Sequence, residues 1–145
     1  MYPPILAALG GAMALNGQVD EATALLRKAI DDKVHLAGGR YNEYYLSHNL
    51  AIALAEAGRY GEALAAAEDA RRAAASYRQR GHEAEALCKM AEIEIKAGQQ
   101  KSALVHLQQA RSLAHDCSMT YVEGKTAESI ARIMAAPQSV VGVPG

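Results

Sequence analysis

The chain has 145 residues, with 15 Lys+Arg against 16 Asp+Glu, 31 Ala, 12 Gly, seven Tyr and neither Phe nor Trp. One domain is the expectation at this length, and the near-neutral charge argues against a dedicated nucleic-acid binder. No apolar run approaches the roughly 18 to 20 residues of a membrane span, and Cys88 and Cys117 alone make neither a disulfide framework nor a four-ligand zinc site.

In chain order, Met1-Tyr2-Pro3-Pro4 lacks the basic start of a signal peptide, so a cytoplasmic protein is expected, and the two prolines suit a first helical turn. Apolar spacing predicts seven helices, at about 3–16, 19–36, 41–57, 60–80, 82–97, 100–116 and 121–135. Gly17, Gly58 and Gly98 supply short turns between antiparallel neighbours, because glycine ends a helix cheaply in a left-handed conformation. Gly38-Gly39 and Gly81 stand where second helices should stop, and Thr120-x-x-Glu123 reads as a capping box. Residues 136–145 carry two prolines and no charge, and read as a tail.

The same three glycines place three segments in register, 41 and 40 residues apart. The first runs from Leu6 and Leu9-Gly10 through Gly17 to Glu21-Ala22, Leu26 and Ala29. The second runs from Leu50-Ala51 and Leu54 through Gly58 to Glu62-Ala63, Ala67 and Ala70. The third has Leu87, Met90-Ala91, Gly98, Ala103-Leu104, Leu107 and Ala110. A fourth opens with Ala127 and Ile130-Ala131 but has Gln138 where a glycine should follow. Gly10, Ala51, Ala91 and Ala131 on first helices, and Ala22, Ala63 and Ala103 on second helices, leave room for two helices to touch. Glu43, Glu83 and Glu123 recur seven residues before Leu50, Met90 and Ile130, and near a helix start a carboxylate favours the dipole by ~0.3–1 kcal/mol.

This pattern resembles the tetratricopeptide repeat over about residues 2 to 136. The resemblance implies an all-α, right-handed superhelix of about three helix pairs plus one additional C-terminal helix. Its units would be about 2–39, 40–81, 82–118 and a partial 119–136, followed by a tail at 137–145. The period is 40 rather than the basic 34 residues, and longer repeats of this kind look like those of bacterial signalling and transcription-regulatory proteins. Glu94 takes a position that is usually apolar, and Ser47 replaces a large leading residue.

In that family the first helices line a concave face. Matching positions are Ala7, Ala8, Gly11 and Ala14 in the first unit, and Tyr45, His48, Asn49, Ile52 and Glu56 in the second. The third unit gives Glu85, Cys88, Lys89, Glu92 and Lys96, and the fourth Lys125, Glu128, Ser129 and Arg132. The candidate partner-binding set is therefore Tyr45, His48, Asn49 and Ile52, then Glu85, Lys89, Glu92 and Lys96, with Arg132 at the far end. Asn49 matches a position where the family uses Asn to hydrogen-bond a peptide backbone, and Lys89 is its equivalent one unit later.

Simpler structural roles compete with these. Tyr41, Tyr44 and Tyr45 at helical spacing suit a core with hydroxyls at the rim, and His48 suits a polar edge as well as a ligand. Gly10-Gly11 within a helix implies either a close neighbour or a weak helix, at roughly 1 kcal/mol per glycine. Cys88 has no basic pair or metal partner in sequence.

Catalytic motifs fail. Gly124-Lys125-Thr126 has Met119 where a phosphate loop needs glycine and no strand before it, and His82-Glu83 has Ala86 where a zinc protease needs its second histidine. Apart from His115-Asp116, the histidines His35, His106 and His115 have no ligand-spaced carboxylate or cysteine. The expectation is a non-enzymatic scaffold with no cofactor or metal, binding a protein or peptide but not nucleic acid or membrane. The alternatives are an effector-sensing regulatory domain of a larger protein and, least favoured, a hydrolase using Glu85 and Glu92. An unpaired last helix also predicts self-association through exposed solenoid ends, or a longer repeat array.

Overall fold

The structure, a computed structural model, describes residues 10, 13, 17–33 and 39–135. Among them are six α-helices: α1 Val19–Lys33, α2 Gly39–Glu56, α3 Tyr60–Ser76, α4 Arg80–Lys96, α5 Gln100–Asp116 and α6 Thr120–Ala135. Of the expected first helix, Gly10 and Met13 are helical; Ala7, Ala8, Gly11 and Ala14 lie outside the described residues, as does the expected tail. Each helix packs against the next in an antiparallel zigzag, and the first helices α2, α4 and α6 meet one another at a few points. The fold is an all-α helical-repeat solenoid.

The connections explain the regularity. In each connection among the described residues, one residue takes a left-handed backbone: Gly17 (φ +82°), Gly58 (+76°), Arg78 (+60°), Gly98 (+79°) and Ser118 (+58°). The next N–H reaches back to close the helix, Arg59 to the Leu54 carbonyl at 2.9 Å, Gln79 to Ala74 at 2.9 Å, Gln99 to Glu94 at 2.7 Å and Met119 to Ala114 at 2.8 Å. The same residue then opens the following helix with its own carbonyl, as Arg59 does for Ala63 and Gln79 for Glu83. Every helix from α3 to α5 plus its turn thus takes the same length of chain.

This turn corrects three expectations. The second helix of the middle pair stops at Ser76 rather than near 80, because Tyr77-Arg78-Gln79 makes the turn without glycine. Gly81 therefore lies in the first turn of α4 and ends nothing; a Cβ there would sit 2.9 Å from the Met119 sulfur. The capping box does not form, since Met119 rather than Thr120 receives the Glu123 N–H, and the Glu123 carboxylate lies 3.1 Å from His115 Nδ1.

Small residues occupy the helix–helix contacts. Ala22, Ala51, Ala63, Ala91 and Ala103 are all completely buried. Gly10 belongs with them, because a Cβ there would come within 2.8 Å of the Leu26 side chain. Leu26, Leu46, Leu54 and Ile93 supply the bulk between these contacts, at roughly 1.5–3 kcal/mol each for full burial. Ala131 behaves differently. It is exposed, because among the described residues no second helix follows α6.

Candidate functional site

On α4, Glu85, Cys88, Lys89, Glu92 and Lys96 recur at three- to four-residue steps and so share one helical face. That face forms the floor of a groove between α2 and α6. In its middle lies a pocket of about 230 Å³. Its walls are His48 from α2, Glu85, Cys88, Lys89 and Glu92 from α4, and Tyr121, Val122 and Lys125 from α6. Toward the C-terminal end of α4 the groove narrows into a cleft where Ile52 and Glu56 face Lys89, Glu92 and Lys96.

Ion pairing organises the floor. The Glu92 carboxylate accepts from Lys89 Nζ at 2.7 Å and from Lys125 Nζ at 3.0 Å, so it ties α4 to α6. Burial alone would raise the Glu92 pKa, but the two lysine hydrogen bonds prevail and hold it below the ordinary carboxylate range. The same contact raises the pKa of Lys125. Burial, with Lys89 nearby, lowers the pKa of His48, which keeps the ring neutral. His48 Nδ1 is buried without a hydrogen-bond partner. Burial pushes the Cys88 thiol up to about 11, so it is protonated at neutral pH and is no nucleophile.

An aromatic stack closes the other end. Tyr44 is buried between His82 and His48, with ring centroids 4.4 and 5.6 Å away and planes nearly parallel. Its hydroxyl donates to Glu85 at 3.3 Å, and burial followed by the Glu85 charge raises its pKa. Tyr45 is half-buried and meets Tyr44 and His82 edge-on. Of the Tyr41, Tyr44 and Tyr45 cluster, Tyr44 is core with its hydroxyl at a polar rim and Tyr45 is partly so, while the Tyr41 side chain lies outside those described.

His48, Ile52, Glu85, Lys89, Glu92 and Lys96 are brought together along one groove, and Tyr45 adjoins its aromatic end. Asn49 is half-buried and turned partly inward, giving an N–H to the Tyr45 carbonyl at 2.9 Å. Arg132 stands apart from the pocket, two turns beyond Lys125, and pairs with Glu128 on its own helix. Tyr121, 81% exposed, and Val122 are pocket residues that sequence reasoning missed. Their signal was present: Tyr121 lies one turn before Lys125, which was already placed on that face. His106 also has a carboxylate partner after all. Glu94, distant in sequence, lies 2.6 Å from its Nδ1 across the α4–α5 contact. Among the described residues no cluster of His, Cys, Asp and Glu is arranged to hold a metal, and no helix is long and apolar enough to cross a membrane.

The sequence matches no protein-family model and no curated protein. Solved structures do resemble it. One is of nearly identical TPR-like repeats assigned to a kinesin light chain of Podospora anserina, at a TM-score of 0.72 and 21% identity, covering 91% of this chain and 66% of that one. A single-substitution form of the same repeats aligns at 0.72 and 22% identity, covering 92% of this chain and 67% of that one. The chain thus spans about two thirds of the length of these structures, and the likeness shows a TPR-like helical-repeat fold.

Proposed function

We propose that this TPR-like chain is a non-enzymatic scaffold whose groove between α2, α4 and α6 binds an extended segment of a partner protein. The observation that carries this reading is the pocket itself, three consecutive first helices contributing to one cavity of about 230 Å³. Small-molecule sites usually occupy about 300–1,000 Å³, so the pocket suits one side chain of a longer segment better than a free effector. Lys89, Glu92 and Lys125 offer both donors and acceptors, which matches the alternating polarity of a peptide backbone. Tyr121 supplies an exposed ring at the rim, and aromatic anchors beside a desolvated centre carry much of the energy in protein interfaces.

A binder selected from a displayed library of random peptides tests the reading. Lys89→Ala and Tyr121→Ala should each weaken its binding about ten-fold while helicity by circular dichroism stays intact. Unchanged affinity in both variants discards the groove. A thermal-stability screen with small molecules gives the effector-sensing alternative its chance; stabilisation by a metabolite-sized compound at the pocket would favour it.

One further observation favours self-association. Ala131 and Met134 on α6 repeat the register of Ala91 and Glu94, which are buried under α5, yet both are exposed. A second copy would cover them through that face. Light scattering at high protein concentration decides, and a monodisperse monomer rules it out.

A further inference from the structure

Ile52 on α2 and Glu92 on α4 share one register of the repeat, and both are half-buried in the groove. The fold therefore accepts an apolar side chain where Glu92 stands, and a carboxylate there is no requirement of the architecture. Both oxygens of Glu92 are engaged. Its Oε2 accepts from Lys89 Nζ at 2.7 Å and its Oε1 from Lys125 Nζ at 3.0 Å. Each oxygen keeps a lone pair and each ammonium keeps two N–H groups, so the bridge is satisfied in charge but not in hydrogen bonds.

The bridge lines the pocket of about 230 Å³ together with Cys88 and Val122, which are buried. Charges balance there. Lys89 and Lys125 are set against Glu85 and Glu92, while burial keeps His48 and the Cys88 thiol neutral. A carboxylate entering the pocket meets Glu85 and Glu92, and an ammonium meets Lys89 and Lys125, so neither gains on balance. An apolar group strips water from the spare donors and acceptors and returns nothing. The backbone of a bound segment can meet a lysine or a carboxylate in turn, but not both members of one ion pair, because the C=O and N–H of a planar trans peptide point opposite ways.

A primary carboxamide carries its carbonyl oxygen and its NH2 group side by side, one acceptor next to two donors. Lys125 is the more open of the two lysines, its side chain 49% exposed against 25% for Lys89, so its spare N–H groups are the ones within reach of an occupant. We infer, on the premise that the groove binds a segment as proposed above, that its pocket selects an asparagine or glutamine side chain. The carbonyl of that side chain accepts from Lys125 Nζ, its NH2 donates to Glu92 Oε1, and its stem lies against Cys88 and Val122. A site built on hydrogen bonds rejects side chains that leave its groups unpaired far more strongly than an apolar pocket rejects a misfit.

The test uses the full chain and random peptides displayed on phage, from which binders weakened by Lys89→Ala are kept. These should share an asparagine or glutamine at one position. The strongest is then synthesised with its C-terminus capped as an N-methylamide, so that the cap supplies no primary amide. Replacing the shared residue by Glu, Lys or Leu should weaken its binding about ten-fold or more. Two protein variants should bring the carboxamide and Leu peptides to within about two-fold of each other: Glu92→Ile, which restores the residue of the preceding repeat, and Lys125→Met, which keeps the stem and removes the ammonium. Binders that depend on Lys89 but share a charged or apolar residue, or a carboxamide preference unchanged in both variants, overturn the inference and leave the groove standing as a binding site. If Lys89→Ala weakens no selected peptide, the groove itself is not the site and the inference falls with it.

Discussion

The α2–α3 and α4–α5 pairs are two editions of one unit, and they differ most at the centre of their contact. In the first, Leu54 and the facing Ala66 register are both apolar and buried; in the second, Glu94 meets His106. Helix lengths, turns and the small-residue contacts survive this change intact. Shape is therefore what the repeat demands of these positions, and polarity is free to vary so long as each buried polar atom finds a partner. The α2–α3 pair satisfies that demand with packing alone, while the α4–α5 pair does so with a hydrogen bond.

The largest expected effect comes from exchanging the two solutions. Leu54→Glu alone places an unpartnered carboxylate in an apolar contact and should cost about 4 kcal/mol in chemical denaturation. Adding Ala66→His should recover part of that loss. Conversely, His106→Ala strands Glu94 and should cost about 2–3 kcal/mol. Completing the exchange with Glu94→Leu should restore stability to the level of the unmodified chain or above. No recovery in either double variant would mean that the two pairs differ in shape as well as in charge.

A middle-sized effect separates covered from open copies of one register. Ala91→Leu should overpack the α4–α5 contact and cost ~1–3 kcal/mol, whereas Ala131→Leu on α6 should stay within about 0.5 kcal/mol. Equal costs at the two sites, measured on dilute protein, would show that the α6 face is covered after all.

The smallest effect concerns the turns. Arg78→Gly and Ser118→Gly should each raise stability by about 1 kcal/mol, because L-residues are strained at positive φ. Gly58→Ala should lower it by a similar amount. Thermal melts under matched conditions read all three.

Much of this architecture could be read from particular residues. Gly17, Gly58 and Gly98 announced their turns because a left-handed backbone selects glycine, but Arg78 and Ser118 did not. Their φ values are imposed by the closing bonds from Gln79 to Ala74 and from Met119 to Ala114, which no residue type advertises. Groove positions Glu85, Lys89, Glu92 and Lys96 were expected only through the resemblance to a repeat family whose first helices line a concave face. Tyr121 was passed over, and the inward hydrogen bond of Asn49 was not foreseen.

By itself the sequence determined the helical-repeat fold, the zigzag of short turns and the small residues at helix contacts. These follow from local rules: helical periodicity, the conformational freedom of glycine and the room that alanine leaves. The tertiary structure alone decided which side chains meet across helices: Glu92 between Lys89 and Lys125, Tyr44 between His48 and His82, and Glu94 against His106. Those pairings depend on how neighbouring helices stack. A period of residues along one helix carries no record of the side chain that arrives from the next.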